Sequence, residues 1–131
     1  MINIFEAVKE EQGELIALRR HFHEYPELSK QEDRTIAYIA QKLDEYGISY
    51  RIVDKGGLIA WIDGKAPGKT LLLRADVDAL PITEGEKNLS VPRVCRSHHD
   101  GVMHACGHDG HMAMVLDLAV WLDQQTALPH N

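Results

Sequence analysis

Apolar residues recur at three- and four-residue spacing in two segments near the start of the chain, which predicts two helices. The first runs from about Ile4 to Tyr25 and ends before Pro26. The second begins near Ser29, which fits a capping box with Glu32. Gly47 follows its last apolar residue and is expected to provide a left-handed cap.

The pattern then changes to short apolar segments between glycine-rich turns, which are typical of strands: Ser49–Val53, Leu58–Ile62 and Thr70–Arg74. In the last of these, Leu71–Leu73 is a continuous apolar run, as expected of a strand covered on both faces. Pro81–Asp100 is polar and predicts a loop. A third helix is predicted from about Gly110 to Gln124, apolar on nearly all sides and therefore deeply buried. This order of elements indicates a layered α/β protein.

Composition and charge exclude several classes of protein. The 131 residues make one domain or part of one, and 14 Lys and Arg against 20 Asp and Glu give a net charge of −6. A general nucleic-acid surface would need clustered positive charge, so no nucleic-acid partner is expected. No apolar run approaches the roughly 18 residues of a membrane span, and no signal peptide is visible. Two cysteines are too few for a disulfide scaffold, which favours a cytoplasmic location.

The candidate chemistry is concentrated in one short segment. Five of the eight histidines lie between Ser97 and His111, and the sequence Cys106-Gly107-His108 stands among them. Thiolate and imidazole together select zinc-like metals over magnesium or calcium. Asp109 either coordinates the metal as well or orients an imidazole. The alternatives are a loop that is merely rich in histidine and a structural zinc site, although the paired ligand clusters typical of the latter are absent.

A second group of polar residues follows the predicted strand at Leu71–Leu73. Asp76 and Asp78 lie two positions apart and can share one face, just before Pro81 ends the segment. Functional groups in α/β sheets collect at the carboxyl ends of strands. The alternative is an ordinary polar strand end.

Three segments together resemble the M20 family of metallopeptidases: Arg19–Ser29, Arg74–Pro81 and Gly101–His111. The most similar branch comprises amidohydrolases of N-acyl amino acids, such as hippurate hydrolase, auxin-conjugate hydrolase and N-acetyldiaminopimelate deacetylase. The resemblance implies a zinc-peptidase-like catalytic domain, in which helices flank a mixed sheet, with two divalent metal ions (zinc or manganese). By motif position, Cys106 and His108 would be metal ligands, and Asp78 would be the catalytic aspartate beside the metals. The resemblance assigns no ligand role to Asp76 or His111, and Cys95 is expected to be a bystander thiol.

The resemblance also implies features that lie farther along the chain in this family: a general-base glutamate, further ligands, and a lid and dimerisation domain. Residues 1–131 are therefore expected to form a partial M20-type catalytic domain, the N-terminal portion of the enzyme. The expected function is metal-dependent hydrolysis of the amide bond in a small N-acyl amino acid, with the 131-residue chain inactive alone and the complete enzyme able to form a homodimer. The alternatives are a catalytically dead metal-binding module and a non-functional truncated product.

Overall fold

The computed structural model describes residues 3–54 and 56–125, and three helices form the framework of this part of the chain. Helix α1 spans Ile4–Glu24, α2 spans Asp33–Tyr46 and α3 spans His108–Asp123. Each corresponds to a helix predicted from the apolar spacing, so the helical part of the sequence interpretation is confirmed.

The predicted capping box at the start of α2 is wrong. The helix begins four residues later than Ser29, after Glu32, whose side chain makes no capping hydrogen bond. Instead, the carboxylate of Glu27 accepts hydrogen bonds from the backbone N–H and the hydroxyl of Thr35, at 2.7 and 2.8 Å. The carboxylate of Glu27, which lies before the turn, thus satisfies donors at the start of the helix. No local sequence motif predicts this contact. At the other end Gly47 has φ +71°, which confirms the left-handed cap.

The strands form two antiparallel hairpins. Strand β1 (Ser49–Val53) pairs with β2 (Gly57–Trp61), with Ser49 opposite Trp61, and these confirm two predicted strands. The short strands β3 (Lys87–Asn88) and β4 (Val91–Pro92) pair within the predicted loop. Two isolated bridges add further strand-like contacts, a parallel one between Leu28 and Ala79 and an antiparallel one between Leu80 and Met103. These elements agree with the predicted α/β class.

The predicted strand at Thr70–Arg74 is wrong for the described chain, because no strand is formed there. Leu71 and Leu72 are 79% and 81% exposed instead of being covered on both faces. A strand exists only where a neighbouring strand accepts its hydrogen bonds. Among residues 3–54 and 56–125 this segment has no such neighbour.

The core lies where α1, α2 and α3 meet. Its buried members are apolar residues of these helices and of the segment after α2: Leu18, Phe22, Ile39, Leu43, Ile48, Met112, Ala113 and Leu116. Helix α3 buries only the face that packs in this core. Met114 and Leu118 of the same helix are 52% and 38% exposed, so the prediction that α3 is buried on nearly all sides is wrong here. Helix α1 packs against α3, whose N-terminal turn carries the candidate chemistry.

No helix in residues 3–54 and 56–125 has both the length and the apolar character needed to cross a membrane.

Candidate metal centre

The Cys106-Gly107-His108 segment forms the entry to α3. Gly107 is the N-cap residue and has φ +86°, a left-handed conformation that side chains other than glycine rarely adopt. A Cβ at this position would meet no atom within 4 Å, so the backbone angle rather than space favours glycine. The turn leaves Cys106 exposed just before the helix and makes His108 the first helical residue.

His108 is held by Asp78, which lies a few residues after the exposed run Leu71–Leu73. Its Nδ1 atom lies 2.9 Å from the backbone oxygen of Asp78 and 3.1 Å from the Oδ1 atom of the Asp78 carboxylate. Both oxygens accept, so Nδ1 must carry the proton and donate it. In the neutral ring Nε2 is then the unprotonated nitrogen, and no residue of the described chain hydrogen bonds to it. Metal-binding histidines have this arrangement, in which the second nitrogen donates to a carboxylate or a carbonyl.

The two aspartates predicted to share a face have different partners. Asp76 pairs at the surface with Arg74, whose Nε and Nη2 atoms lie 2.9 and 2.7 Å from its Oδ1 atom. Of the two, only Asp78 contacts a histidine, His108. His111 is exposed one turn farther along α3, with its ring centroid 6.1 Å from that of His108.

The donor set fits a transition metal but is incomplete in this part of the chain. Within residues 3–54 and 56–125, no three His, Cys, Asp or Glu side chains are grouped closely enough to hold a metal ion. The soft thiol of Cys106 and the free Nε2 of His108 are nevertheless ligands that zinc-like metals prefer. His104, only 5% exposed, has no partner for either ring nitrogen in the described chain. Burial lowers the pKa of His104 to about 4, so its ring is neutral near pH 7.

A buried network of charged residues lies behind this segment and centres on His23 of α1, which is 2% exposed. Its Nδ1 atom lies 2.7 Å from Oδ2 of Asp109, and its Nε2 atom lies 2.8 Å from Oε1 of Glu84. Arg19 adds a 3.0 Å contact from its Nε atom to the same oxygen of Asp109. Arg93 approaches Glu84 at 3.4 Å.

The pKa values of this network shift in the directions that favour charge. The hydrogen bond that His23 donates to Asp109 raises the pKa of His23, and it outweighs the opposing effect of burial. Burial alone would raise the pKa of Asp109, but the hydrogen bond from His23 and the charge of Arg19 lower it below its ordinary value. Burial opposes ionisation of Glu84 as well, and the hydrogen bonds from His23 and the Ser97 N–H lower its pKa overall.

Sequence reasoning assigned no role to His23, Glu84 or His104. A signal for His23 was present, because it lies four residues after Arg19 and next to the apolar Phe22 on a predicted helix. Glu84 lies in a predicted loop that offered no such signal. Cys95 is buried, and its thiol contacts the backbone oxygen of Arg20 at 3.5 Å.

Comparison with known proteins decides the family. The profile of peptidase family M20/M25/M40 matches residues 72–131, the segment that contains Asp78, Cys106 and His108. The crystal structure of the Bacillus subtilis YXEP protein, a dinuclear metal-binding peptidase from the M20 family, is similar with a TM-score of 0.79 and 42% identity. This likeness covers 88% of the present chain and 32% of that chain. The chain belongs to the M20 family.

Two relatives of this M20 chain have names that describe amide hydrolysis. It is 47% identical to the N-acetyl-L-cysteine deacetylase of Bacillus subtilis (strain 168), over 85% of this chain and 26% of that protein. It is 42% identical to the N-acyl-L-amino acid amidohydrolase of Geobacillus stearothermophilus, over 86% of this chain and 29% of that protein. The M20 chain therefore spans less than a third of the length of these relatives.

Proposed function

We propose that Cys106 and His108 are metal ligands in the dinuclear site of an M20 amidohydrolase, and that Asp78 orients His108. The observation that carries this proposal is the pair of contacts from the Nδ1 atom of His108 to Asp78, at 2.9 and 3.1 Å. They fix the tautomer and the ring orientation, so that Nε2 is available to a metal. Cys106 supplies an exposed thiol on the other side of the Gly107 turn.

The metals we propose are two divalent ions, zinc or manganese. Support comes from the softness of the thiol and imidazole donors, and from the dinuclear metal site of the similar YXEP protein. Bound divalent ions would act as Lewis acids that polarise the carbonyl oxygen of the scissile amide. The residues described here would hold and orient them: Cys106 and His108 through their donor atoms, and Asp78 through its hydrogen bond to His108.

The substrate class we propose is the small N-acyl amino acids, and the reaction is hydrolysis of their amide bond. Support comes from the names of the two relatives, which specify an acetylated cysteine and N-acyl-L-amino acids. The reaction requires more ligands than the described residues bring together, since no group of three is formed. We infer that residues 1–131 form part of the catalytic domain, and that the 131-residue chain alone has no turnover.

Cellular location and assembly belong to the same proposal. We place the protein in the cytoplasm, where a thiol ligand stays reduced, because Cys95 and Cys106 are both free. We propose that the complete protein forms a homodimer, which light scattering coupled to gel filtration tests.

A metal-binding module without catalysis is the second candidate function. The incomplete ligand set of the described chain favours it for this chain taken alone. The experiment that separates the candidates is an assay of the chain with Zn²⁺ or Mn²⁺ on a panel of N-acetyl amino acids, with Asp78→Ala as the control. We expect metal binding without turnover. Turnover that Asp78→Ala abolishes would contradict the inactivity of the isolated chain and would support hydrolysis as its own function.

A further inference from the structure

His23 is held between two carboxylates at the centre of the buried network. Both of its ring nitrogens face carboxylate oxygens, Nδ1 toward Asp109 at 2.7 Å and Nε2 toward Glu84 at 2.8 Å. Ionised carboxylates only accept hydrogen bonds, so these two short contacts require a proton on each ring nitrogen, and the ring is an imidazolium. Arg19 Nη2 also lies 3.1 Å from Nδ1, but a protonated Nδ1 donates to Asp109 and does not accept from Arg19. The side chains of all three residues are no more than 3% exposed, and such a buried cation persists only because it is paired on both sides.

These contacts join three segments that are distant in the sequence. His23 lies in α1, Glu84 lies in the loop before β3, and Asp109 lies in the first turn of α3, 86 residues from His23. Arg19, one turn before His23, also contacts Asp109 through its Nε atom at 3.0 Å. Asp109 is therefore fixed to α1 by two side chains.

Asp109 directly follows His108, so the position of its backbone sets that of the proposed metal ligand. His108 consequently has two anchors: its ring is hydrogen bonded to Asp78, and its backbone is held through Asp109. The N-cap residue Gly107 contributes no side chain to this turn, and α3 has no side-chain capping hydrogen bond. The contact with His23 is thus a side-chain connection between this turn and α1.

We propose that His23 is a positioning residue for metal binding, acting through Asp109 on the helical turn that carries His108. This inference rests on the proposed function of Cys106 and His108 as metal ligands. Partners that hold metal ligands in place from outside the coordination sphere change metal affinity by about 10- to 100-fold when removed. A buried ion pair that served only the stability of the fold would have no such specific effect.

The test is titration of the 131-residue chain with Co²⁺, whose absorption bands report thiolate and imidazole coordination. The variants are His23→Gln, which donates to one carboxylate at most, Asp109→Asn, the double variant, and Leu18→Ala. Leu18 lies in α1, is 4% exposed and belongs to the apolar core, so its truncation destabilises the fold without touching the network. Circular dichroism establishes that each variant is folded at the titration temperature.

We expect His23→Gln and Asp109→Asn each to weaken Co²⁺ binding about 10- to 100-fold. We expect the double variant to bind Co²⁺ with no lower affinity than the weaker-binding single variant, because both substitutions remove the same contact. Leu18→Ala should bind like the wild type. Unchanged affinity in folded His23→Gln, additive losses in the double variant, or an equal loss in Leu18→Ala would overturn the inference. If His23→Gln does not fold, unchanged affinity in Asp109→Asn overturns it. A wild-type chain without a Cys106-dependent band would overturn the proposed function, and this inference with it.

Discussion

His108 and Asp78 are joined by two contacts from one atom, since the Nδ1 of His108 lies 2.9 Å from the backbone oxygen and 3.1 Å from the carboxylate of Asp78. The backbone contact survives any substitution of the side chain, whereas the carboxylate contact does not. Asp78 therefore orients His108 through both oxygens, and only the carboxylate adds a negative charge. The two contributions can be separated by mutation.

Asp78→Ala is expected to weaken Zn²⁺ binding by about 10- to 100-fold, because the imidazole of His108 loses the carboxylate that orients it. Competition with a chromophoric chelator measures this affinity. Asp76→Ala is the matched control, since Asp76 pairs only with the exposed Arg74 in the described chain and should leave the affinity unchanged. Equal losses in the two variants would show that negative charge in this segment, and not the contact with His108, sets the affinity.

The stability of the chain should fall on the alkaline side because of His23. Its pKa is raised above the 6.5 of an unpaired histidine, so the folded state binds more protons than the unfolded state between these two values. The stabilisation is complete below pH 6.5 and is lost as the pH rises through the raised value. Asp109 and Glu84 have lowered pKa values and stay ionised throughout this window.

Urea unfolding from about pH 6 to about pH 9 tests this pH dependence. The stability advantage of the wild type over His23→Gln should decrease across the range, because glutamine does not titrate. Burial lowers the pKa values of His21 and His104, but their titration is common to both proteins and cancels in this difference. Parallel profiles for the two proteins would mean that His23 does not have the raised pKa.

The two cysteines should react at very different rates with a thiol reagent. Cys106 is exposed, whereas Cys95 is buried, and burial raises the pKa of the Cys95 thiol to about 11. Mass spectrometry of the folded chain should show fast modification of Cys106 alone, with Cys95 reacting after addition of urea. Zn²⁺ should slow the reaction of Cys106 and leave that of Cys95 unchanged. Equal rates in the folded, metal-free chain would contradict the described burial.

Self-association is expected through the exposed apolar run of Leu71–Leu73. Leu72 is 81% exposed, and Leu72→Lys should lower the average mass measured by light scattering without lowering the thermal unfolding temperature. Leu89→Lys is the control, because Leu89 is 96% exposed and lies in the turn between β3 and β4. The same decrease in both variants would attribute self-association to overall charge instead of this run.

The parts of the fold that the sequence predicted correctly are local. The spacing of Leu18 and Phe22 defines α1, because neighbours in sequence stay neighbours in space. That Cys106 and His108, two positions apart, are metal ligands stays a prediction. Thr70–Arg74 was predicted as a strand from its composition, but strand formation depends on a partner that the described chain does not provide. The contact between His23 and Asp109 joins residues 86 positions apart, and no local pattern indicates which acid a buried histidine meets.

The central claim is that Cys106 and His108 bind a transition metal, and calorimetric titration of the chain with Zn²⁺ tests it most directly. We expect binding in the wild type and in Cys95→Ser, and a loss of affinity of at least about tenfold in Cys106→Ser and in His108→Ala. Binding that survives both ligand substitutions, or no binding by the folded wild-type chain, would contradict the claim.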